Sequence, residues 1–495
     1  MTKMTLKYSA VLLLIVSLGF MGCKKLDDMS RDPTKPTTTE PQFLLTGAQK
    51  SAMDVLYSNL QNGFIGMHYA QYWSANSRVA DSQYQLDEGN NTTFWNNLYR
   101  ISLHNLNEII LMNQAKQGQP GVANQNAIAQ IMTAWIFEML ADTYGNVPYS
   151  QAFQNTSNIT PKYDDAQAIY NSLLDILQAQ ITILDASQTS YNTGDIIYNG
   201  DVESWRRLAH SLMLRIAIRM ADAHPDKAKE IIEAHYQYAI SSNKESAQFQ
   251  YLSTVPNRFP YNDADRALID YAVSTTLVDY MQSINDPRLP IYARPAAEDG
   301  VIRGLIYGLS TSDPLHLSES HYSQPGKQVY SATMPGILMG YPEVEFILAE
   351  AAARGMNVGN AATHYNNGVR ASITYWRDLS GATNINENTI QAYLDQVPYE
   401  AADWKNVIGT QKWLALYLQG FQAWFERTRL QFKKPGGEPL FILPKSGSLD
   451  RSVAEVPYRL TYPVIEQTQN KVSYDEAATA VGGDLKGTKL WYNKF

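Results

Sequence analysis

The sequence predicts an all-α protein in which neighbouring helices pack against one another in pairs. Two observations support this fold class. Apolar residues recur with a helical period in several separate segments of the chain. These segments follow one another closely and are joined by short turns, so that consecutive helices become neighbours in space.

The first half of the chain contains three clear helical stripes. Residues 124–142 place apolar side chains on one helical face, namely Ile128, Ile131, Met132, Trp135, Ile136, Met139 and Leu140. A second stripe comprises Ile169, Leu173, Ile176, Leu177, Ile181 and Leu184. A third comprises Trp205, Leu208, Ala209, Leu212, Ile216 and Met220. Ser204 is the predicted N-cap of this third helix, and Pro225 separates it from a further helix that begins at Asp226.

The second half repeats the design and adds small residues. Further stripes lie at Val344–Ala352 and Ala362–Trp376, and residues 413–425 form one more predicted helix. Alanines at 349 and 351–353 are placed where a second helix must approach closely, as in tetratricopeptide-like pairs, although no strict repeat register is present. We therefore predict a scaffold of about four helix pairs, with long irregular loop excursions at 60–100, 245–335 and 430–495.

The N-terminal residues predict export and lipid anchoring. Lys3 and Lys7 precede a short apolar run, which is typical of a signal peptide and too short for a membrane span. Cys23 is the only cysteine, and the sequence before it resembles a bacterial lipobox, so residues 1–22 are the predicted lipoprotein signal peptide and Cys23 the lipid attachment site. Residues 23–41 are a predicted flexible tether, followed by a single domain at 42–495.

Composition and missing motifs exclude several functions. The net charge of −8 argues against binding of nucleic acid, which requires clustered Lys and Arg. The sequence lacks a P-loop, a zinc-protease motif, a dinucleotide-binding motif and a hydrolase nucleophile motif. Because the one cysteine is the lipid attachment site, cysteine nucleophiles and thiolate metal sites are excluded. No cofactor and no catalytic residue are therefore predicted.

Carboxylates leave two alternatives open. Asp263 and Asp265 stand at alternating positions, as oxygen ligands of a structural Ca²⁺ would, but the glycine and distal glutamate of a calcium loop are missing. No metal is predicted, and these two residues are the weak candidates. The alternative hypothesis for the function is a surface glycoside hydrolase. Its acid and base would come from carboxylates that are dispersed along the chain, because sequence spacing does not exclude such a pair.

A series of short motifs resembles the SusD/RagB family of Bacteroidetes outer-membrane lipoproteins. The motifs occur in the family order and extend from the lipobox to the last residues; they include 144–150, 285–288, 345–351, 365–369, 411–413, 424–427 and 457–463. The resemblance implies a surface-exposed nutrient-binding lipoprotein of the outer membrane, anchored by its lipid. Such proteins bind glycans, or in some members peptides, and deliver them to a SusC-like TonB-dependent transporter. Arg427 and Arg429 are expected to pair with buried carboxylates rather than with ligand.

Aromatic and polar residues define the predicted ligand site. Sugars bind on aromatic faces while amides, Arg and Asp contact their hydroxyl groups. The segment 69–95 has this composition, and its candidates are Tyr72, Trp73, Asn76, Arg78 and Tyr84. The alternative is that Tyr72 and Trp73 complete a buried helix face. Second candidates in the longest excursion are Tyr307, His321 and Tyr322. A pure interaction scaffold without a small ligand is the remaining alternative.

Overall fold

A computed structural model describes residues 39–154, 157–262 and 270–494, and helices predominate throughout. The predicted signal peptide, Cys23, nearly all of the tether, and the candidates Asp263 and Asp265 lie outside the described residues. One continuous hydrophobic core extends from Leu45 to Tyr492. The predominance of helices among the described residues confirms the all-α prediction.

The α-helices are joined by turns, by two π-helical segments at Asn59–Gly66 and Asn97–Leu103, and by short irregular stretches. The α-helices are α1 (Pro41–Leu56), α2 (Met67–Tyr69), α3 (Glu88–Asn96), α4 (His104–Gln114), α5 (Val122–Tyr144), α6 (Ala166–Ile183), α7 (Val202–Arg219), α8 (Pro225–His235), α9 (Thr275–Ser283), α10 (Leu289–Tyr292), α11 (Tyr341–Ala353), α12 (Ala361–Ser380), α13 (Glu387–Gln396), α14 (Trp404–Ala415), α15 (Gly420–Leu430), α16 (Val464–Gln469) and α17 (Lys471–Ala480).

Three small antiparallel sheets complete the described structure. Their strands are β1 (Trp73–Ala75), β2 (Val147–Pro148), β3 (Tyr163–Asp164), β4 (Ala247–Phe249), β5 (Tyr271–Val273) and β6 (Gly336–Met339). The pairs are β1 with β5, β2 with β3, and β4 with β6. In the first sheet Trp73 lies opposite Val273, so that the first two predicted excursions are joined to each other.

Four helix pairs form the scaffold, as predicted. The pairs are α1 with α4, α5 with α6, α7 with α8, and α11 with α12. Successive pairs also contact each other, through α4 and α5, α6 and α7, and α7 and α11. This is the tetratricopeptide-like arrangement, in which each pair buries its apolar face against its neighbours. Helix α14 packs on α11 and α12, and α15 packs on α14.

Helix starts follow local capping chemistry. Asp201 caps α7 by accepting a hydrogen bond from the Ser204 backbone N–H, so the predicted N-cap Ser204 is wrong by one turn. A carboxylate one turn earlier satisfies the same free N–H groups and also suits the positive end of the helix. Pro225 occupies the first turn of α8, where its missing N–H costs nothing.

The predicted helix over 413–425 is wrong, because the structure contains two helices there. Helix α14 ends at Ala415 and α15 begins at Gly420, with Leu418 between them at φ 72°. Gly420 lies against Gly66, and a Cβ atom on Gly420 would stand 2.4 Å from the Gly66 carbonyl carbon. The turn therefore brings the backbone of α15 into contact with the backbone of the 59–66 segment.

The first excursion is also more regular than predicted. Residues 60–100 contain the Asn59–Gly66 segment and helices α2 and α3, and many of their side chains are buried. The described parts of the excursions at 245–335 and 430–495 are largely irregular and carry short helices and strands. These two excursions contact each other, since the Lys445 backbone N–H donates to the Tyr307 carbonyl at 2.9 Å.

A buried network of ion pairs joins the helices of the scaffold to α14 and α15. Arg219 of α7 contacts Glu138 at 3.2 Å and Glu426 at 3.4 Å. Arg429 of α15 contacts Glu350 and Glu426, each at 2.6 Å. Burial alone would raise the pKa of Glu426, but Arg429, Lys412 and Arg219 hold it well below the usual range. Glu426 therefore remains charged between these three cations.

Candidate functional site

The structure places Tyr72 and Trp73 in the hydrophobic core. Both side chains are fully buried. The Tyr72 ring stacks on Trp413 with centroids 5.0 Å apart, and Trp73 Nε1 donates to the Tyr417 hydroxyl at 3.1 Å. The prediction that these two side chains contact ligand is corrected here, because rings with aromatic neighbours on several sides leave no face for a sugar. Composition could not separate the two roles.

Tyr84 and Tyr307 are likewise core residues. Each is fully buried, and their rings lie 6.1 Å apart. The Tyr84 hydroxyl donates to the Glu455 carbonyl at 2.8 Å, so this side chain holds the backbone of the C-terminal excursion in place. The prediction of ligand contact is corrected for these two residues as well, since they support a surface segment from below.

Arg78 and Asn76 lie at the surface. Arg78 donates from Nε to Asp81 at 2.9 Å, and its guanidinium lies 4.3 Å from the Phe64 ring centroid. Burial raises the pKa of Asp81 to about 6, although Arg78 opposes the rise. The Asn76 backbone N–H donates to the Asp270 carbonyl at 2.8 Å. Both side chains retain partial exposure, so ligand contact at these positions stays a prediction.

His321 and Tyr322 have different surroundings. His321 Nδ1 lies 3.0 Å from a Glu298 carboxylate oxygen, and its side chain is partly exposed. Tyr322 is buried and its hydroxyl donates to the Leu315 carbonyl. His321 stays a predicted ligand residue, whereas Tyr322 packs in a small secondary cluster with Leu305 and Leu309.

A surface groove beside α15 combines aromatic rings with polar side chains, and we call it the Phe441 groove. Its volume is about 360 Å³. The walls come from the end of α15 and from the C-terminal excursion. Its lining residues are Arg427, Thr428, Gln431, Phe432, Lys433, Pro439, Leu440, Phe441, Ile442, Leu443, Glu455, Val456 and Tyr458.

The rings of the groove are held in fixed positions. Phe441 packs edge-on against Phe432 at 5.3 Å and against Trp413 at 5.7 Å. Phe441 and Tyr458 are partly exposed, as a ring that meets a ligand must be. Ile442 and Leu443 extend the apolar surface beside them, with 38% and 58% of their surface exposed. A rigid aromatic surface reduces the entropy lost when a ligand binds.

Arg427 is the most buried charged side chain in the Phe441 groove. Only 6% of its surface is exposed. Its Nη1 donates to the Tyr69 carbonyl at 2.6 Å, and its guanidinium lies 4.2 Å from the Phe441 ring centroid. Gln431, Lys433 and Glu455 are exposed around it. The groove therefore offers donors and acceptors next to an aromatic face.

Sequence reasoning missed this groove although it singled out nearby residues. Tyr84 binds the Glu455 carbonyl, and the Tyr69 carbonyl binds Arg427, so the 69–84 segment lies directly beneath the groove. The aromatic residues that reach the surface come instead from positions 441 and 458. The available signal was the clustering of Phe432, Phe441 and Tyr458 within one irregular excursion.

A second groove surrounds Arg294 in the 245–335 excursion. Its volume is also about 360 Å³, and its walls include Pro287, Pro290, Ile291 and Ile385. Arg294 donates from Nε to the Pro325 carbonyl at 3.0 Å. None of the side chains that line this groove is aromatic, which makes it a poorer surface for a sugar ring.

Two further features are missing from the residues that the structure describes. No group of three or more His, Cys, Asp or Glu side chains there is arranged to hold a metal ion. Within those ranges no helix combines the length and apolarity that crossing a membrane requires.

Comparison with known proteins identifies the family. The model of the SusD-like family described as "Starch-binding associating with outer membrane" matches residues 33–463. The chain belongs to this family. The resemblance found in the sequence motifs is thereby confirmed, as is association of the family with the outer membrane. No curated protein sequence matches the chain.

Solved structures support the same fold. A chitin-binding protein is 29% identical with a TM-score of 0.82, and the match covers 92% of this chain and 100% of that one. A SusD homologue from Bacteroides uniformis is 24% identical with a TM-score of 0.79, over 92% of this chain and 100% of that one. A chitin-binding SusD homologue from Flavobacterium johnsoniae is 22% identical with a TM-score of 0.76, over 91% of this chain and 98% of that one.

Proposed function

We propose that this protein is a surface-exposed, lipid-anchored outer-membrane protein that binds glycans in the Phe441 groove. It delivers them, without catalysis, to a SusC-like TonB-dependent transporter. The observation that carries the proposal is the groove itself, in which partly exposed aromatic rings stand beside an arginine, an amide and a carboxylate. Aromatic faces bind the apolar side of a pyranose, and the polar groups bind its hydroxyls.

The groove favours binding over hydrolysis. Glycoside hydrolysis requires two carboxyl groups on either side of the scissile bond. Among the residues that line the Phe441 groove, Glu455 is the only one that carries a carboxylate. A glycan bound there would meet no acid and base pair, so it would leave the site unchanged.

Two ligand classes are the first to test. The family description names starch, and two of the similar structures are chitin-binding proteins. Chito-oligosaccharides and malto-oligosaccharides are therefore the starting probes. We would measure their binding by calorimetry to protein that begins at Lys24 and lacks the lipid.

The site assignment is tested with a matched pair of variants. Phe441→Ala removes an aromatic surface from the groove, and we expect affinity to fall about tenfold or more. Tyr238→Ala is the control, because Tyr238 is 58% exposed and does not line the groove. Equal affinity in wild type and Phe441→Ala would contradict binding in this groove. Chromatography of the incubated glycan would reveal products, and any turnover would contradict a non-catalytic role.

The anchor and the partner need separate experiments. Cys23→Ser removes the predicted lipid attachment site, and we expect the protein to leave the membrane fraction. If the protein delivers glycans to a TonB-dependent transporter, we expect that transporter to copurify with the lipidated wild-type protein from detergent-solubilised membranes. A wild-type protein that remains monomeric and alone under these conditions would contradict the delivery role.

A further inference from the structure

Arg427 differs from the other buried arginines of the described chain. Five others, Arg215, Arg219, Arg288, Arg429 and Arg459, are fully buried, and each contacts a carboxylate within 4.0 Å. Arg427 is nearly as buried, yet no carboxylate of the described residues lies within that distance of its guanidinium. A buried charge without a partner is costly, because water is removed and no opposite charge replaces it.

The guanidinium is positioned to bind a further group. Its Nη1 donates to the Tyr69 carbonyl, and its plane lies near the Phe441 ring. Nε and Nη2 make no hydrogen bond within the described structure, and neither is sealed from solvent. These two nitrogens lie on one edge of the guanidinium, which is the edge that binds the two oxygens of a carboxylate.

We propose that the Phe441 groove selects glycans that carry carboxylate groups, such as uronic acid residues, and that Arg427 binds the carboxylate. The inference rests on the proposed function, since it names the class of glycan that the same groove takes. A guanidinium in a largely water-excluded position binds a carboxylate more strongly than an exposed one does. The aromatic rings beside it provide the surface for the sugar that bears the acid.

The surrounding charges set the strength of this selection. Lys433 lines the groove and adds a second positive charge near its mouth. Glu455 also lines the groove and opposes an acidic ligand. Because both are exposed, salt and water screen them more than they screen Arg427. Arg427 therefore provides most of the electrostatic attraction for an acidic ligand. Glu455→Gln is expected to strengthen binding of the acidic glycan by about twofold.

The test uses two ligands that differ only in charge. Oligogalacturonide and the same oligosaccharide with its carboxyl groups reduced to alcohols are titrated into wild-type protein that begins at Lys24. We expect the acid form to bind about tenfold more tightly, or better, since hydrogen bonds to charged groups contribute that much. Its affinity should also fall as salt is added.

Variants then assign the preference to Arg427. Arg427→Gln should remove most of the preference for the acid form, and Arg427→Lys should retain part of it because the charge remains. Arg100→Gln is the matched control, since Arg100 is exposed and does not line the groove. If Arg427→Gln does not fold, the ligand pair on the wild-type protein still decides whether the protein prefers acidic glycans, and Arg427→Lys still tests the role of the side chain.

The outcomes separate this inference from the proposed function. Equal affinity for the acid and reduced ligands, or binding of neutral chito- or malto-oligosaccharides alone, would overturn the selection while leaving glycan binding intact. A preference for the acid that is unchanged in folded Arg427→Gln would overturn the role of Arg427. Failure of every glycan, acidic and neutral, to bind would overturn the proposed function and this inference together.

Discussion

Arg427 and Arg429 stand two residues apart on α15 and have opposite surroundings. Arg429 is fully buried and binds the carboxylates of Glu350 and Glu426. Arg427 is nearly as buried but meets a backbone carbonyl and an aromatic ring instead. The same residue type on the same helix thus belongs to the interior at one position and lines the Phe441 groove at the other.

The difference shows what decides the role of a buried arginine. Two residues advance a helix by more than half a turn, so the two side chains leave α15 in different directions. Arg429 faces the acidic residues of the scaffold, whereas Arg427 faces the 441–458 part of the C-terminal excursion. The expectation that both pair with buried carboxylates is confirmed for Arg429 and wrong for Arg427. The carboxylate that Arg427 lacks is the one we assign to its ligand.

Replacing Arg429 should give the largest effect. Arg429→Met leaves Glu350 and Glu426 buried with one cation fewer, and we expect a loss of about 3–5 kcal/mol in the free energy of unfolding. Urea denaturation followed by circular dichroism measures it. Arg427→Met is the matched variant and should lose only about 1 kcal/mol, since it gives up one hydrogen bond. Equal losses of unfolding free energy in the two variants would contradict the conclusion that Arg429 and Arg427 have different roles.

Aromatic residues provide a second form of the same contrast. Trp73→Ala should destabilise the fold by about 3–5 kcal/mol, because it empties a fully buried position among Tyr261, Tyr271 and Tyr417. Phe441→Ala should cost far less stability and instead weaken glycan binding. The same denaturation experiment compares the two. A Trp73→Ala variant of wild-type stability would show that this side chain is not part of the core.

A buried histidine pair provides a further comparison, because the folded protein disfavours the charged form of these side chains. His210 and His235 place their Nδ1 atoms 2.8 Å apart, so one ring donates and the other accepts. Burial, with the charges of His235, Arg206 and Arg207, lowers the pKa of His210 to about 4. The unfolded chain therefore binds a proton near pH 6.5 that the folded chain resists.

Stability should consequently fall with pH over a defined window. We expect the free energy of unfolding to decrease by roughly 1–2 kcal/mol as the pH falls from about 6.5 to about 4. His210→Phe should reduce this dependence. Urea denaturation at a series of pH values measures it, and a slope that is the same in wild type and variant would contradict the assignment to His210.

The helices could be predicted from the sequence because their apolar stripes are long and regular. The stripe from Ile128 to Leu140 lies within α5, and the Pro225 boundary coincides with the start of α8. The break between α14 and α15 gave no such signal. It depends on a left-handed Leu418 and on the contact of Gly420 with Gly66, which is distant in sequence.

The site was less predictable for a physical reason. An aromatic ring next to polar residues has the same composition whether it packs inside or meets a ligand, and only tertiary contacts separate the two cases. Trp73 is covered by the rings of Tyr261, Tyr271 and Tyr417. Phe441 is covered on fewer sides because it follows α15 in an irregular segment at the surface.

The buried ion network has a consequence for how the chain matures. Arrays of helix pairs usually gain stability one repeat at a time, because each repeat contacts only its neighbours. Here Arg219 of α7 contacts Glu426, and Glu350 of α11 contacts Arg429, both from a helix near the end of the chain. The early repeats therefore cannot complete this network until α15 has been synthesised. We expect the scaffold to reach its full resistance to proteases only once α15 has joined it.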